Sequence, residues 1–489
     1  MNKVIIYGVL FVLVTTGSSC EKYYDKQPLD QLSNATFWKT ESDLNMAIAG
    51  VYRRMQYEAI DDRIAAWDGL TDNAWVQYPW LNDFYSIGKG DIVSTNVLSS
   101  GMWNYCYRAI AACNNFIDQV NKGNNFIGVN ADLKIKYNAE VRFIRAFEYY
   151  WLTQCFGDVP LITEPQSLEN MKTPLSPKEN VLKQMYEDLD FAIANLPDEA
   201  YTGHVIKAAA KALKARVKLY NGDYPDAIAL SKEIIDGGKF SVSPDYRANF
   251  LESHDQDNCP EIIFSIKFQG PNNPNPSDQT YGWWGSVNPL KEFVLSHEPG
   301  DKRLKANVLS PGDPWPLGEK QNGPGSAFFV GDQQFVATTY NCNKWVNQET
   351  ATPSNWASLG NDATHLRFAE VLLIYAEAKN EISGPDQSIY DAVNEIRSRA
   401  GLDELPVGLN QEAMREKIRH ERRIEFAFEG QRYFDLKRWG IIGEVVSDIP
   451  EPPVSTSTFR VWKDHFKLLP IPQAEIDKDP QNLIQNPGY

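Results

Sequence analysis

The segment from His420 to Gly440 limits what the rest of this 489-residue chain can fold into. It reads His420-Glu421-Arg422-Arg423-Ile424-Glu425-Phe426-Ala427-Phe428-Glu429-Gly430-Gln431-Arg432-Tyr433-Phe434-Asp435-Leu436-Lys437-Arg438-Trp439-Gly440. An amphipathic helix that begins near Gln411 runs into it. Arg422 and Glu425, Glu429 and Arg432, and Asp435 and Arg438 stand three residues apart, a spacing at which helical side chains meet. Phe426, Phe428, Tyr433, Phe434 and Trp439 need a large apolar surround. A guanidinium beside so many rings is tolerated only where its donors are paired. The segment is therefore expected to be a buried junction pinned by arginine–carboxylate pairs. An active site of alternating acids and bases is the competing reading.

The formal net charge of -16 argues against a nucleic-acid partner, which would call for a basic face. At the N-terminus, Lys3 precedes an apolar run from Val4 to Val14 that is too short to span a bilayer. Gly17-Ser18-Ser19 then lead into Cys20. Residues 1–19 read as a secretory signal. Cys20 is the candidate lipidation site, anchoring the chain in a membrane by acyl chains. Gly17 stands where such signals usually carry Leu, and ordinary cleavage is the alternative. Residues 20–40 read as a polar tether. The remaining cysteines, Cys106, Cys113, Cys155, Cys259 and Cys342, are odd in number. Cys106 and Cys113 are roughly 10 Å apart along one helix, too far for a bridge. Buried free thiols are expected, with no disulfide framework.

Helical periodicity dominates the chain from Thr40 onward. Thr40 with Asp43 marks a capping box opening a helix over 41–57. Further helices are expected over 103–121, 132–156, 178–196, 205–220, 224–236, 366–382 and 387–400. Ser176-Pro177-Lys178-Glu179 reads as a second capping box. The hairpin across Asn221-Gly222-Asp223 resembles a tetratricopeptide unit, with Ala212, Ala215 and Ala227 allowing close helix approach. About four such helix pairs are expected, interrupted rather than tandem. The fold class is mostly α, with long irregular loops and a few short strands, one of them near Glu261 to Phe268. Residues 41–240 form an N-terminal helical region. Residues 241–489 form a C-terminal region with a loop insertion over 268–360, the two intertwined in one body.

The sequence lacks GxSxG, Walker A, GxGxxG and HExxH patterns, so no catalytic residue is assigned and the chain is not expected to be an enzyme. A carboxylate pair for glycoside hydrolysis stays open among 64 acidic residues. Binding has more support. Asp72, Asn73, Trp75, Tyr78, Trp80, Asp83 and Tyr85 fall within one aromatic-rich loop region over 63–100. Tyr281, Trp283 and Trp284 fall in the later insertion, which also carries Trp356. Sugar rings stack flat C–H faces on indole or phenol, while Asp and Asn bond vicinal hydroxyls. Asp72, Asn73, Trp75, Tyr78, Trp80, Tyr281, Trp283 and Trp284 are the candidate ligand-binding residues. No cofactor or metal is expected. The acidic loop His254-Asp255-Gln256-Asp257 lacks a complete calcium pattern and leaves calcium open.

Several further stretches carry a family resemblance. These are Tyr23-Tyr24 with Pro28-Leu29 and Thr36-Phe37-Trp38; Glu140-Val141-Arg142 with Arg145-Ala146; and Phe156-Gly157-Asp158-Val159-Pro160-Leu161. Leu366-Arg367 with Ala369-Glu370-Val371-Leu372-Leu373-Ile374-Tyr375-Ala376-Glu377-Ala378 comes next, then the 420–440 segment and the ending Gln485-Asn486-Pro487-Gly488-Tyr489. Together they resemble the SusD/RagB family of outer-membrane lipoproteins. The resemblance implies four tetratricopeptide-like units, lipidation at Cys20 and exposure at the cell surface. It further implies an oligosaccharide ligand, or a peptide in some relatives, and a SusC-like TonB-dependent transporter as partner. The shared motifs are structural and carry no ligand residue over.

Overall fold

The computed structural model describes residues 37–489 except 124, 168, 170, 316–336, 353, 448 and 451–459. Cys20, the signal and most of the tether lie outside the described residues, as does part of the loop insertion. Ten helices carry the architecture: α1 Glu41–Arg54, α2 Val97–Asn121, α3 Ala131–Phe156, α4 Lys178–Asn195, α5 Lys207–Tyr220, α6 Tyr224–Asp236, α7 Phe368–Ser383, α8 Gln387–Ala400, α9 Gln411–Glu425 and α10 Gln431–Arg438. They pack as the pairs α1/α2, α3/α4, α5/α6 and α7/α8. Each pair also rests on the next, α2 on α3, α4 on α5 and α6 on α7. Strands are short: β1 Ala74–Val76, β2 Ile262–Ile266, β3 Val287–Pro289 and β4 Ala363–Arg367, with β1 pairing β3 and β2 pairing β4, both antiparallel. One continuous apolar core runs from Trp38 to Leu483.

Local chemistry sets most helix ends. The Thr40–Asp43 box forms, with Asp43 N donating to Thr40 Oγ1 and Thr40 N donating to Asp43 Oδ2. The expected box at Ser176–Glu179 does not. Pro177 is the cap residue and bonds no amide through its side chain, and Lys178 N donates instead to Asp158 Oδ1 at 2.8 Å. Helix α2 begins six residues before the expected Trp103, because Asp83 Oδ2 accepts from Val97 N at 2.5 Å and caps it across the loop. The region 63–100 is correspondingly less irregular than its composition suggests. It holds a 3-10 turn over Ile64–Leu70, strand β1 and a short helix over Phe84–Gly88. The five described cysteines are buried free thiols.

Helix α3 is buried on most of its circumference, as its apolar run requires. Its charged residues are handled in two ways. Arg145 donates to Asp188 at 2.6 Å and to Asn114 at 2.8 Å. Glu148 is buried, with no partner on Oε1 among the described residues, and burial pushes its carboxyl up to about 8. A carboxyl raised in the folded state stabilises fully below its unfolded pKa, and that stability is lost as pH rises through the folded value. Glu148→Gln is therefore expected to raise the melting temperature more at pH 8 than at pH 5. Equal shifts at both pH values would contradict the assignment.

The 420–440 segment is the buried junction its composition demands, but its pairs differ from the spacing argument. Arg422 reaches Asp435 at 2.9 and 3.1 Å rather than Glu425. Glu429 faces Arg367 and Lys344 rather than Arg432, which turns to Asp72. Only Asp435–Arg438, at 2.8 Å, follows the expected pairing. The cause is a break in the helix. Helix α9 ends at Glu425, then Phe428 (φ 64°) and Gly430 (φ 73°) turn the chain into α10. A Cβ on Gly430 would lie 2.8 Å from Ile64 Cδ1 and in a left-handed backbone, so glycine suits both demands. Arginines from other elements complete the junction. Glu425 accepts from Arg303 (2.9 Å), Arg367 (2.6 Å) and Arg399, all buried or nearly so.

Candidate ligand-binding site

Strands β1 and β3 bring two distant aromatic stretches together. Trp75 pairs in register with Asn288, and Gln77 N extends the ladder by donating to Ser286 O at 3.1 Å. The chain leaving β1 carries Tyr78 and Trp80. The chain entering β3 carries Trp283 and Trp284. Tyr78 and Trp80 stack at 5.1 Å between ring centroids, and Trp284 stands edge-on to Trp80 at 4.9 Å. Tyr78 Oη donates to Trp284 O at 3.0 Å and ties the two stretches. Trp80 is 48% exposed. Beside them, Trp283 stacks on Trp356 at 3.9 Å with 30° between the rings.

The backbone beneath this arc is heavily bonded. Residues Asp278–Trp283 form a π-helical turn that presents Trp283 and Trp284. Asp278 is fully buried and accepts from Asn347 N (2.6 Å), Asn347 Nδ2 (2.9 Å) and Asn361 Nδ2 (3.2 Å). The segment carrying Trp356 is thus anchored to the turn carrying Trp283. Burial pushes the Asp278 carboxyl up to about 7, against the pull of the Asn347 donors. On the first loop, Asn82 (φ 47°) and Asp83 (φ 61°) take left-handed backbone, which Asn and Asp tolerate best among residues with a side chain. Arg63 donates to Asn82 there.

The predicted set divides. Tyr78, Trp80 and Trp284 form one partly exposed cluster, and Trp283, next to Trp284 in the chain, is partly exposed in a second ring pair with Trp356. Asp72, Asn73, Trp75 and Tyr281 face other partners within the protein. Asp72 accepts from Arg432 at 3.0 Å through each oxygen and pairs with Arg423 at 2.9 Å. Burial pushes its carboxyl up, but Arg423 and Arg432 outweigh it and hold the pKa below its ordinary value. Asn73 is fully buried, donating to Asp68 at 2.7 Å and accepting from Arg423 at 2.9 Å. Trp75 is 3% exposed, with the Arg460 guanidinium 5.1 Å from its ring. Tyr281 is fully buried and accepts from Ala65 N at 3.1 Å. These four hold the arc from beneath. Asp83 caps α2, and Tyr85 packs edge-on against Trp75 at 5.7 Å. Trp356 joins the arc although it lies outside the predicted set. Its signal was a lone tryptophan in a polar stretch, with nothing local to place it beside Trp283.

The arc is an open platform. A cleft of about 510 Å³ lies elsewhere, beside α1 and α3. Among the described residues no group of three or more His, Cys, Asp or Glu is placed to hold a metal ion. In the 254–257 loop, His254 bonds Asp245 at 2.6 Å, Asp255 accepts from Asn258 at 2.7 Å and Asp257 pairs with Lys267 at 2.5 Å. No described helix is long and apolar enough to cross a membrane.

Comparison with known proteins bears on the whole body. A family model described as "SusD family" matches residues 286–489, and one described as "Starch-binding associating with outer membrane" matches 22–219. SusD-like protein P25 of Formosa agariphila is 27% identical, with 100% of this chain and 99% of that protein covered. The starch-binding protein SusD of Bacteroides thetaiotaomicron is 23% identical over 78% of this chain and 76% of that protein. Among solved structures, a SusD-like protein of Bacteroides fragilis superposes with a TM-score of 0.80 at 26% identity, covering 95% of this chain and all of that one. A laminarin-binding SusD-like protein superposes with a TM-score of 0.77 at 23% identity, covering 92% of this chain and all of that one. Two family models that together span both ends, relatives aligned along the full length and a shared helical body agree: this chain belongs to the SusD family.

Proposed function

We infer that the protein captures oligosaccharides on the arc of Tyr78, Trp80, Trp283, Trp284 and Trp356, without making or breaking bonds. The observation that carries this is the exposed Trp80, stacked on Tyr78 and flanked edge-on by Trp284. Flat π faces beside an open surface suit the C–H faces of sugar rings. The family supports the same reading, since relatives are named for starch and laminarin binding. The expected setting is the outer face of the outer membrane, with Cys20 acylated and a SusC-like TonB-dependent transporter receiving the ligand. An open platform gives modest affinity, which suits a ligand that is handed on.

Isothermal titration of the full chain against neutral glycans and peptides tests this. Laminarihexaose and maltohexaose head the glycan panel. Micromolar-to-millimolar binding to at least one glycan, with none to peptides, is expected. Peptide binding with no glycan bound would sink the saccharide reading, and new reducing ends in the glycan digests would sink the non-catalytic one.

A further inference from the structure

A second feature lies apart from the arc. The cleft of about 510 Å³ is lined by Asn45 and Tyr52 of α1, Gln56 just beyond it, Tyr137 of α3, His204 and Asn273. Tyr137 and His204 hold their rings parallel, 5° between planes and 6.0 Å between centroids. Tyr137 Oη donates to Asn45 Oδ1 at 2.8 Å. Tyr52 stands edge-on to His204 at 5.6 Å. Amides and aromatic rings share the wall with Ile48, Met55, Ile266 and Arg53, and the rings offer the stacking chemistry of the arc.

Behind that wall sits Glu140, fully buried. Its Oε2 accepts from Tyr52 Oη at 2.6 Å and lies 2.8 Å from His204 Nδ1. Tyr52 Oη in turn accepts from Val205 N at 2.8 Å, so the phenol and the imidazole are fixed in place. Two oxygens here have no donor among the described residues: Glu140 Oε1 and, on the lining, Gln56 Oε1. Buried acceptors without partners are uncommon and call for an explanation. Both atoms are out of reach of solvent and belong to the support of the wall. Of the Lys and Arg side chains on the lining, Lys267 is already paired with Asp257 and Asp362, each at 2.5 Å, and Arg53 is exposed to solvent. Asn45, Tyr137 and His204 offer donors and acceptors side by side on the lining, as a ligand rich in hydroxyls requires.

We propose that this cleft is a second saccharide site, taking a neutral, hydroxyl-rich sugar ring against Tyr137, His204 and Asn45. Its size falls in the ordinary range for small-ligand sites. One loop joins it to the arc, since residues 267–277 run from Lys267 and Asn273 on the cleft into the turn Asp278–Trp283. The inference rests on the saccharide-binding reading of the protein. It differs in naming a place that the arc residues do not touch.

The test is calorimetry with native mass spectrometry on the full chain, using laminarihexaose, maltohexaose and an oligouronate of similar length as probes. Four proteins are compared: wild type, the arc variant Trp80→Ala/Trp284→Ala, and the cleft variants Tyr137→Ala and Asn45→Ala. The expected result is two equivalents of a neutral glycan on wild type and one on the arc variant. Tyr137→Ala should keep the equivalent that the arc variant loses and weaken the other roughly fivefold or more, as loss of a ring contact implies. Asn45→Ala removes an exposed side chain and keeps the test valid if Tyr137→Ala folds poorly; it too should weaken the second equivalent. A single equivalent abolished by the arc variant, or a second one indifferent to both cleft variants, would overturn the proposal. Preference for the oligouronate in the cleft would overturn it as well. Binding lost in Tyr137→Ala but unchanged in the arc variant would support the cleft and refute the arc.

Discussion

Replacing Glu425 by alanine is expected to lower the unfolding free energy by about 3–5 kcal/mol, the range for breaking a buried ion pair. Glu425 is fully buried and accepts from three guanidinium groups, those of Arg303, Arg367 and Arg399. Burial pushes its carboxyl up, yet the three arginines outweigh this and hold its pKa well below the ordinary value. Removing the carboxylate takes one partner from each of three buried guanidinium groups, leaving Arg303 to Asp301 and Glu421, Arg367 to Glu261 and Glu429, and Arg399 to Glu261. The loss comes from guanidinium donors left without an acceptor in a dry interior and from the removed charge of a shared partner. Urea unfolding followed by circular dichroism reads the effect, with Glu425→Gln as the control that keeps shape and removes charge. A loss below about 1 kcal/mol for alanine would show that water or rearrangement relieves the cluster. Arg422→Ala and Asp435→Ala act on the neighbouring pair and should likewise reduce folding yield before altering ligand choice.

The same residues show what a sequence can convey and where it stops. Local signals placed the helices well. Tyr224–Asp236 and Gln387–Ala400 lie where 3.6-residue periodicity and flanking glycines put them. The burial of the 420–440 segment was legible too, because so much aromatic surface has few alternatives. Its pairing was not. Arg422 chose Asp435 over a residue one turn away, since the turn at Phe428–Gly430 folds α10 back toward α9. The site was half legible for the same reason. Asp72 and Asn73 look like sugar-bonding side chains beside Trp75. Their partners Arg423 and Arg432 lie some 350 residues away in sequence, and nothing near Asp72 announces them. Which rings of an aromatic-rich loop face inward is likewise decided by register with β3, which puts Trp75 beneath the sheet and leaves Tyr78 and Trp80 beyond its end. Trp356 needed the Asp278–Asn347–Asn361 bonds to reach the arc.

Trp80→Ala combined with Trp284→Ala should remove capture at the arc while leaving the fold intact. Trp80 is half exposed, and its contacts are to Tyr78 and Trp284 on the same surface. Truncating it costs little core packing, unlike truncating the buried Trp75 or Trp67. Tryptophan contacts that become covered on binding are commonly worth at least about 2 kcal/mol of binding free energy, roughly thirtyfold in affinity. The double variant should therefore bind glycan at the arc at least about thirtyfold more weakly, with an unfolding midpoint close to wild type. The most direct test is to titrate the best glycan from the panel into wild type and the double variant side by side, with the unfolding midpoint of each measured on the same preparations. The account predicts loss of the tightest binding stage in a fully folded variant. Retention of that stage at wild-type affinity would contradict the account, and the arc would then be only the roof of a structural junction.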